Sequence, residues 1–97
     1  MIMQIVANLF TALADVLHLA LTLYMYIIII RAVMSWINPN PYNAFVRFIY
    51  QATDPVLSRV RRYIPPVAGL DLSPIIVIFV IIFLDRFLVS TLEYLAM

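Results

Sequence analysis

The sequence predicts an all-α membrane protein: two transmembrane helices in a hairpin, joined by short amphipathic interfacial helices. Three observations lead there. Two apolar stretches, from Ile5 to Ile37 and from Ser73 to Met97, each exceed the roughly 20 residues that cross a hydrocarbon core of about 30 Å. The 97 residues are 66% hydrophobic and 11% charged with a mean hydropathy of +1.07, values a soluble chain of this length reaches only by exposing large apolar patches. Five of the six arginines cluster at the end of the first stretch or in the connection. Residues 1–97 therefore read as one membrane domain, with a first transmembrane helix at 9–36, an amphipathic cytoplasmic-face segment at 41–64 and a second transmembrane helix at 73–96.

The first span is densest from Leu17 to Ile30. Ala12-Leu13-Ala14 has the small-x-small form of a signal-peptide cleavage site, but no Lys or Arg precedes the apolar run and no polar mature start follows it, so retention is expected. Arg31 closes the span, Arg47, Arg59, Arg61 and Arg62 lie in the connection, and Arg86 stands apart. Arginine-rich segments close to a span stay cytoplasmic, which places both termini outside. The same arginines are expected to meet a bilayer with anionic headgroups or a protein partner. The tyrosines and Trp36 suit the aromatic belt at a membrane interface.

In the connection, Asn38-Pro39-Asn40-Pro41 is a breaker. Tyr42, Phe45, Val46 and Ile49 then recur at helical spacing while Asn43, Arg47 and Gln51 take the opposite face, the pattern of a helix lying among headgroups. Thr53-Asp54-Pro55 reads as the start of a second short helix, a capping side chain followed by proline where its missing N–H costs nothing. Leu57, Val60 and Ile64 oppose Ser58, Arg61 and Arg62 until Pro65-Pro66 ends the helix. Residues 67–72 form an irregular link around Gly69, the only glycine. Ser73-Pro74 opens the second span by the same capping logic, followed by ten apolar residues from Ile75 to Leu84.

Arg31-Ala32-Val33-Met34-Ser35-Trp36-Ile37, Asn38-Pro39, Thr53-Asp54-Pro55-Val56-Leu57, Arg61-Arg62-Tyr63-Ile64-Pro65-Pro66 and Leu70-Asp71-Leu72-Ser73-Pro74 are successive blocks across about residues 28–85. In that order they resemble the YggT/YlmG family of small integral membrane proteins. The resemblance implies a bacterial inner (cell) membrane and, loosely, cell division, nucleoid and septum organisation or osmotic-stress tolerance. For plastid relatives it implies nucleoid distribution and cytochrome b6 haem assembly. Some members are tandem duplications of this unit, and this chain has a single copy, so assembly into a homo-oligomer is expected. Within the family motif, Arg31, Ser35, Trp36, Thr53, Asp54, Pro55, Pro65, Pro66, Asp71, Ser73 and Pro74 are the residues the resemblance singles out.

Gln4, Asn8, Thr11, Asp15, His18 and Thr22, at spacings of 4, 3, 4, 3 and 4, form one helix face in the first span. On the second, Arg86, Ser90 and Glu93 share a face while Asp85 points elsewhere. A charge in a span costs roughly 2.5–3.5 kcal/mol by insertion scales and normally finds protein or water. Gln4 and Asn8 fall beyond the outer interface. Thr11, Asp15, His18, Arg86 and Glu93 are thus the expected intramembrane contacts. Antiparallel helices with Arg31 level with Pro74 put Arg86 about 18 Å deep and His18 about 19.5 Å deep, with Asp15 one turn further. An Arg86–Asp15 contact is therefore expected, with His18 or Glu93 as secondary partners, inside one hairpin or between copies.

Catalysis is not expected. Asp15 and His18 are half of a metal or acid–base site, no second histidine exists, and no base stands beside Ser35, Ser58, Ser73 or Ser90. Zero cysteines exclude thiolate chemistry, the five scattered methionines suit packing better than copper, and no cofactor is expected. A net charge of +1 argues against direct nucleic-acid binding. Two functions stay open: a non-catalytic membrane organiser or scaffold whose basic hairpin engages division or complex-assembly proteins, and an oligomeric pore lined by the polar stripe of the first helix.

Overall fold

A computed structural model describes every residue except Asn38, Gly69 and Leu70. The chain forms α1 (Ile2–Ile37), α2 (Ala44–Tyr63) and α3 (Ser73–Leu95), with no β-sheet assigned as an element among the described residues. α1 and α3 are each long and apolar enough to cross a membrane, and only 11% of each one's most apolar window is buried. They run side by side in opposite senses. Met3 and Met97 border one cleft at one end, His18 meets Asp85 midway, and Ile28 packs with Val77 and Ile81 towards the other end.

α2 crosses that last end. At about 1.5 Å per residue its 20 residues measure about 30 Å, matching the second dimension of a molecule 56 × 29 × 17 Å in extent. Its buried residues Val46, Ile49, Thr53 and Leu57 follow helical spacing along one side. Leu57 joins Ile28, Val77 and Ile81, the point where all three helices meet, while Val46 and Ile49 pack on Met34 of α1.

The connection is one helix where the sequence predicts two. Thr53-Asp54-Pro55 is not a helix start but the middle of α2, which begins instead at Asn43: the Asn43 carboxamide oxygen accepts from the amides of Phe45 (2.8 Å) and Val46 (3.3 Å). Pro55 removes the bond that would reach back to Gln51, yet tertiary contacts carry the helix through it. Thr53 Oγ1 donates to the Ile49 carbonyl at 2.8 Å, and the Ala52 carbonyl accepts from Tyr24 Oη at 2.9 Å. One carbonyl in the turn before Pro55 is thus met by a side chain of α1, the other from within α2.

The predicted amphipathic face is divided as well. Val46 and Ile49 turn into the protein, whereas Tyr42 and Phe45 stay exposed. α2 ends at Tyr63, with Ile64 driven out of helical geometry ahead of Pro65 and Pro66. Ser73 is the first residue of α3 and not its cap; Leu72 precedes it without a capping side chain, and Asp71 supplies the bonds described below. Asn38 of the breaker and Gly69 and Leu70 of the link lie outside the described residues.

Candidate functional site

Polar side chains meet at three places, one against the middle of α2 and one at its C-terminal end. The first is centred on Arg31, which is only 8% exposed although it sits on an apolar helix. Tyr50, Thr53 and Asp54, at i, i+3 and i+4, present one patch of α2 to it. Arg31 Nη1 donates to Asp54 Oδ1 at 2.8 Å and to Thr53 Oγ1 at 3.2 Å, and its guanidinium carbon stands 3.9 Å from the Tyr50 ring centroid. Ion pair, hydroxyl and aromatic face together replace the water that a buried guanidinium forfeits. Thr53, fully buried, both accepts from Arg31 and donates to Ile49.

The second place links the end of α2 to the start of α3. Arg61 Nε and Nη2 approach Asp71 Oδ2 at 2.9 and 2.7 Å. Asp71 Oδ1 accepts from the Ser73 hydroxyl at 2.6 Å and from the Ser73 amide at 3.0 Å, an amide the helix itself leaves without a partner. Partial burial pushes the Asp71 pKa up, but the Ser73 bonds and the Arg61 guanidinium outweigh it and hold the carboxyl below its ordinary 3.8. Arg61 is therefore not part of the outward basic surface predicted for it. Arg47, Arg59 and Arg62 remain exposed, opposite the buried stripe of α2.

The third place lies midway along α1 and α3. His18 Nδ1 is 2.8 Å from Asp85 Oδ1 and 3.0 Å from Oδ2, so the imidazole donates to the carboxylate from that nitrogen. This corrects the pairing expected inside one hairpin. Within the chain Arg86 does not reach Asp15, and the ion pairs among the described residues are His18–Asp85, Arg31–Asp54 and Arg61–Asp71. The register is close to that predicted, but the face is different: Val77, Ile81 and Asp85 follow at intervals of four, so the apolar stripe that packs on α1 delivers Asp85, not Arg86. Beside the pair opens a cleft of about 220 Å³ lined by Leu21, Thr22, Met25, Ile81 and Ile82.

Of the other predicted residues, Thr11, Asp15, Arg86 and Glu93 are exposed, and Gln4 donates to its neighbour Asn8 at 3.0 Å. Ser35 donates to the Ala32 carbonyl at 2.9 Å beside an exposed Trp36; Pro65 and Pro66 are exposed and Pro74 is buried. Among the described residues no three His, Asp or Glu side chains gather as metal ligands. Tyr24, Tyr50 and Asp85 are the contributors that the sequence reading missed. The i, i+3, i+4 spacing of Tyr50 with Thr53 and Asp54 was a readable signal, whereas nothing local marks Tyr24.

A family model described as CCB3/YggT matches residues 10–92. The Arabidopsis thaliana chloroplast protein CCB3, whose name speaks of cofactor assembly of complex C, is 36% identical over 73% of this chain and 41% of its own length. YlmG homolog protein 2, also chloroplastic and from Arabidopsis thaliana, is 39% identical over 63% of the chain and 24% of its own length. Uncharacterised protein YggT of Escherichia coli K12 is 28% identical over 70% of the chain and 36% of its own length. The chain thus spans between about a quarter and two fifths of these relatives. No solved structure matches it.

Proposed function

From its membership of the CCB3/YggT family, to which this chain belongs, we propose that the protein is a non-catalytic membrane organiser that holds α2 as a docking platform for proteins of a membrane complex. α1 and α3 span the bilayer, which suits long apolar helices of which few residues are buried within the protein. In this reading α2 lies on the cytoplasmic side of a bacterial inner membrane with both termini outside, the side that the arginine distribution supports.

The observation that carries the reading is the way α2 is fixed. A helix meant only to float on headgroups needs no tie to its spans. This one is tied to α1 through Arg31 and, by way of Arg61, to the Asp71 that caps α3. So held, it exposes Arg47, Arg59 and Arg62 together with Phe45, Phe48, Val56 and Tyr63. The apolar side chains suit the acyl boundary, and the arginines suit anionic headgroups or an acidic partner. The plant relative's name speaks of assembly, and assembly is what a fixed platform serves.

Two measurements test it. Cysteines placed at Asn40 or Ser58 should label only from the cytoplasmic side, and reporters at either terminus should read outside. A photoreactive residue at Gln51 should crosslink discrete proteins in intact cells, and Arg47→Gln, Arg59→Gln and Arg62→Gln together should abolish those crosslinks without reducing membrane insertion. Crosslinks indifferent to the arginines would defeat the platform. Ion flux through vesicles carrying the purified chain, lost in an Asp15→Leu, His18→Leu variant, would establish the pore instead.

A further inference from the structure

We propose that two copies of this chain pair about a two-fold axis through the face bearing the His18–Asp85 cleft, with Asp15 of each copy meeting Arg86 of the other. The inference rests on the reading of α1 and α3 as membrane spans and adds a partner and an interface to it.

One face of the helix pair gathers the groups. His18 and Thr22 of α1 border the cleft, and Asp15 and Thr11 continue their stripe at spacings of three and four. Ile82 of α3 borders the same cleft, and Arg86 follows it by four residues and Glu93 by a further seven. Both stripes therefore flank one opening. Asp15, Arg86 and Glu93 are exposed there, and none has an ion-pair partner among the described residues. Opposite charges on lipid-facing positions at bilayer depth are costly unless they find each other.

Height allows the match. Taking His18 and Asp85 as level, Asp15 lies about 4.5 Å and Arg86 about 1.5 Å further toward the termini, a difference of about 3 Å that an arginine side chain spans. Symmetry then sets the partner. A two-fold axis along the bilayer normal, facing this surface to itself, lays α1 of one copy against α3 of the other. The acidic residue on α1 and the basic residue on α3 pair twice, and the two copies keep the same orientation in the membrane. A second copy of the chain is the occupant that this charge pattern fits.

The test uses the absence of cysteines. Chains labelled at Ser58→Cys with donor or acceptor dyes are reconstituted in vesicles of phosphatidylethanolamine and phosphatidylglycerol, and energy transfer is followed on dilution with lipid. Asp15→Arg alone and Arg86→Asp alone should each weaken association at least about tenfold, because each places like charges opposite one another. The two variants mixed in one vesicle should recover transfer to within about threefold of the unsubstituted chain, since both contacts are then complementary. Asp15→Asn and Arg86→Gln, milder changes to insertion, should weaken transfer in the same direction. Unchanged transfer in the single variants, or a loss that mixing does not repair, overturns the dimer. Extraction of the unsubstituted chain from cell membranes by alkaline carbonate overturns the spanning reading itself, a distinct outcome.

Discussion

Where α2 crosses the helix pair, α1 and α3 are joined by chemistry: Arg31 with Asp54, Thr53 and Tyr50, Arg61 with Asp71, Asp71 with Ser73, Tyr24 with Ala52. Beyond the middle the same two helices run alone, with Ala14 buried between them and His18–Asp85 as their polar contact. In a bilayer this contrast is physical. Lipid tails are as apolar as leucine, so packing Ile28 on Val77 gains little from leaving lipid, and specificity has to come from shape and from polar groups with few alternative partners. The molecule concentrates such groups at one end and leaves the other loosely specified.

Removing polar groups at the joined end is expected to cost most. Asp54→Ala leaves the buried Arg31 charge with only the Thr53 hydroxyl and the Tyr50 face, and should lower stability by roughly 1.5–3 kcal/mol, the scale of a hydrogen bond to a charged group. Arg31→Met leaves only the half-exposed Asp54 carboxylate behind and should cost less. Asp54→Asn should fall near alanine, because the charge and not a capping geometry is what Arg31 requires. Trp36 fluorescence during denaturation in mixed micelles ranks the three; a mild Asp54→Asn would restore the helix-start reading.

Asp71→Asn should cost about 1–2 kcal/mol, the scale of charge-assisted hydrogen bonds on a partly exposed group. It should also change acid sensitivity. The folded pKa of Asp71 lies below its ordinary 3.8, so its stabilisation is complete above that value and disappears as pH falls through the lower folded pKa. Denaturation midpoints measured down through pH 4 should decline less steeply for the asparagine variant, and parallel curves would remove Asp71 from the account.

Tyr24→Phe leaves the Ala52 carbonyl beside Pro55 with one bond fewer and should cost about 1 kcal/mol. The smallest effect is expected at the other end. A cycle of His18→Leu and Asp85→Leu should give a coupling of about 0.6 kcal/mol, typical of hydrogen bonds between membrane helices. A coupling larger than that between Arg31 and Asp54 would invert the contrast between the two ends.

The two long apolar helices and the helical character of the connection were readable because hydrophobic length and periodicity are local signals. Pro55 misled for the opposite reason. Its local preference is a helix start, and the contacts that override it come from Tyr24 and Arg31, 28 and 22 residues or more away in sequence. Likewise the spacing of Arg86, Ser90 and Glu93 defined a real face but could not say which face of α3 meets α1. That choice belongs to Val77 and Ile81, whose partners lie on another helix.

The sequence separations of these ties impose an order on biosynthesis. Arg31 and Asp54 are 23 positions apart, Arg61 and Asp71 only 10, whereas His18 and Asp85 are separated by 67. A chain emerging N-terminus first can clasp α2 to α1 before any of α3 has left the ribosome. Asp71 then arrives to meet an Arg61 already in position and sets the first turn of the last helix. The contact between α1 and α3 closes last, as a latch on a frame that already stands.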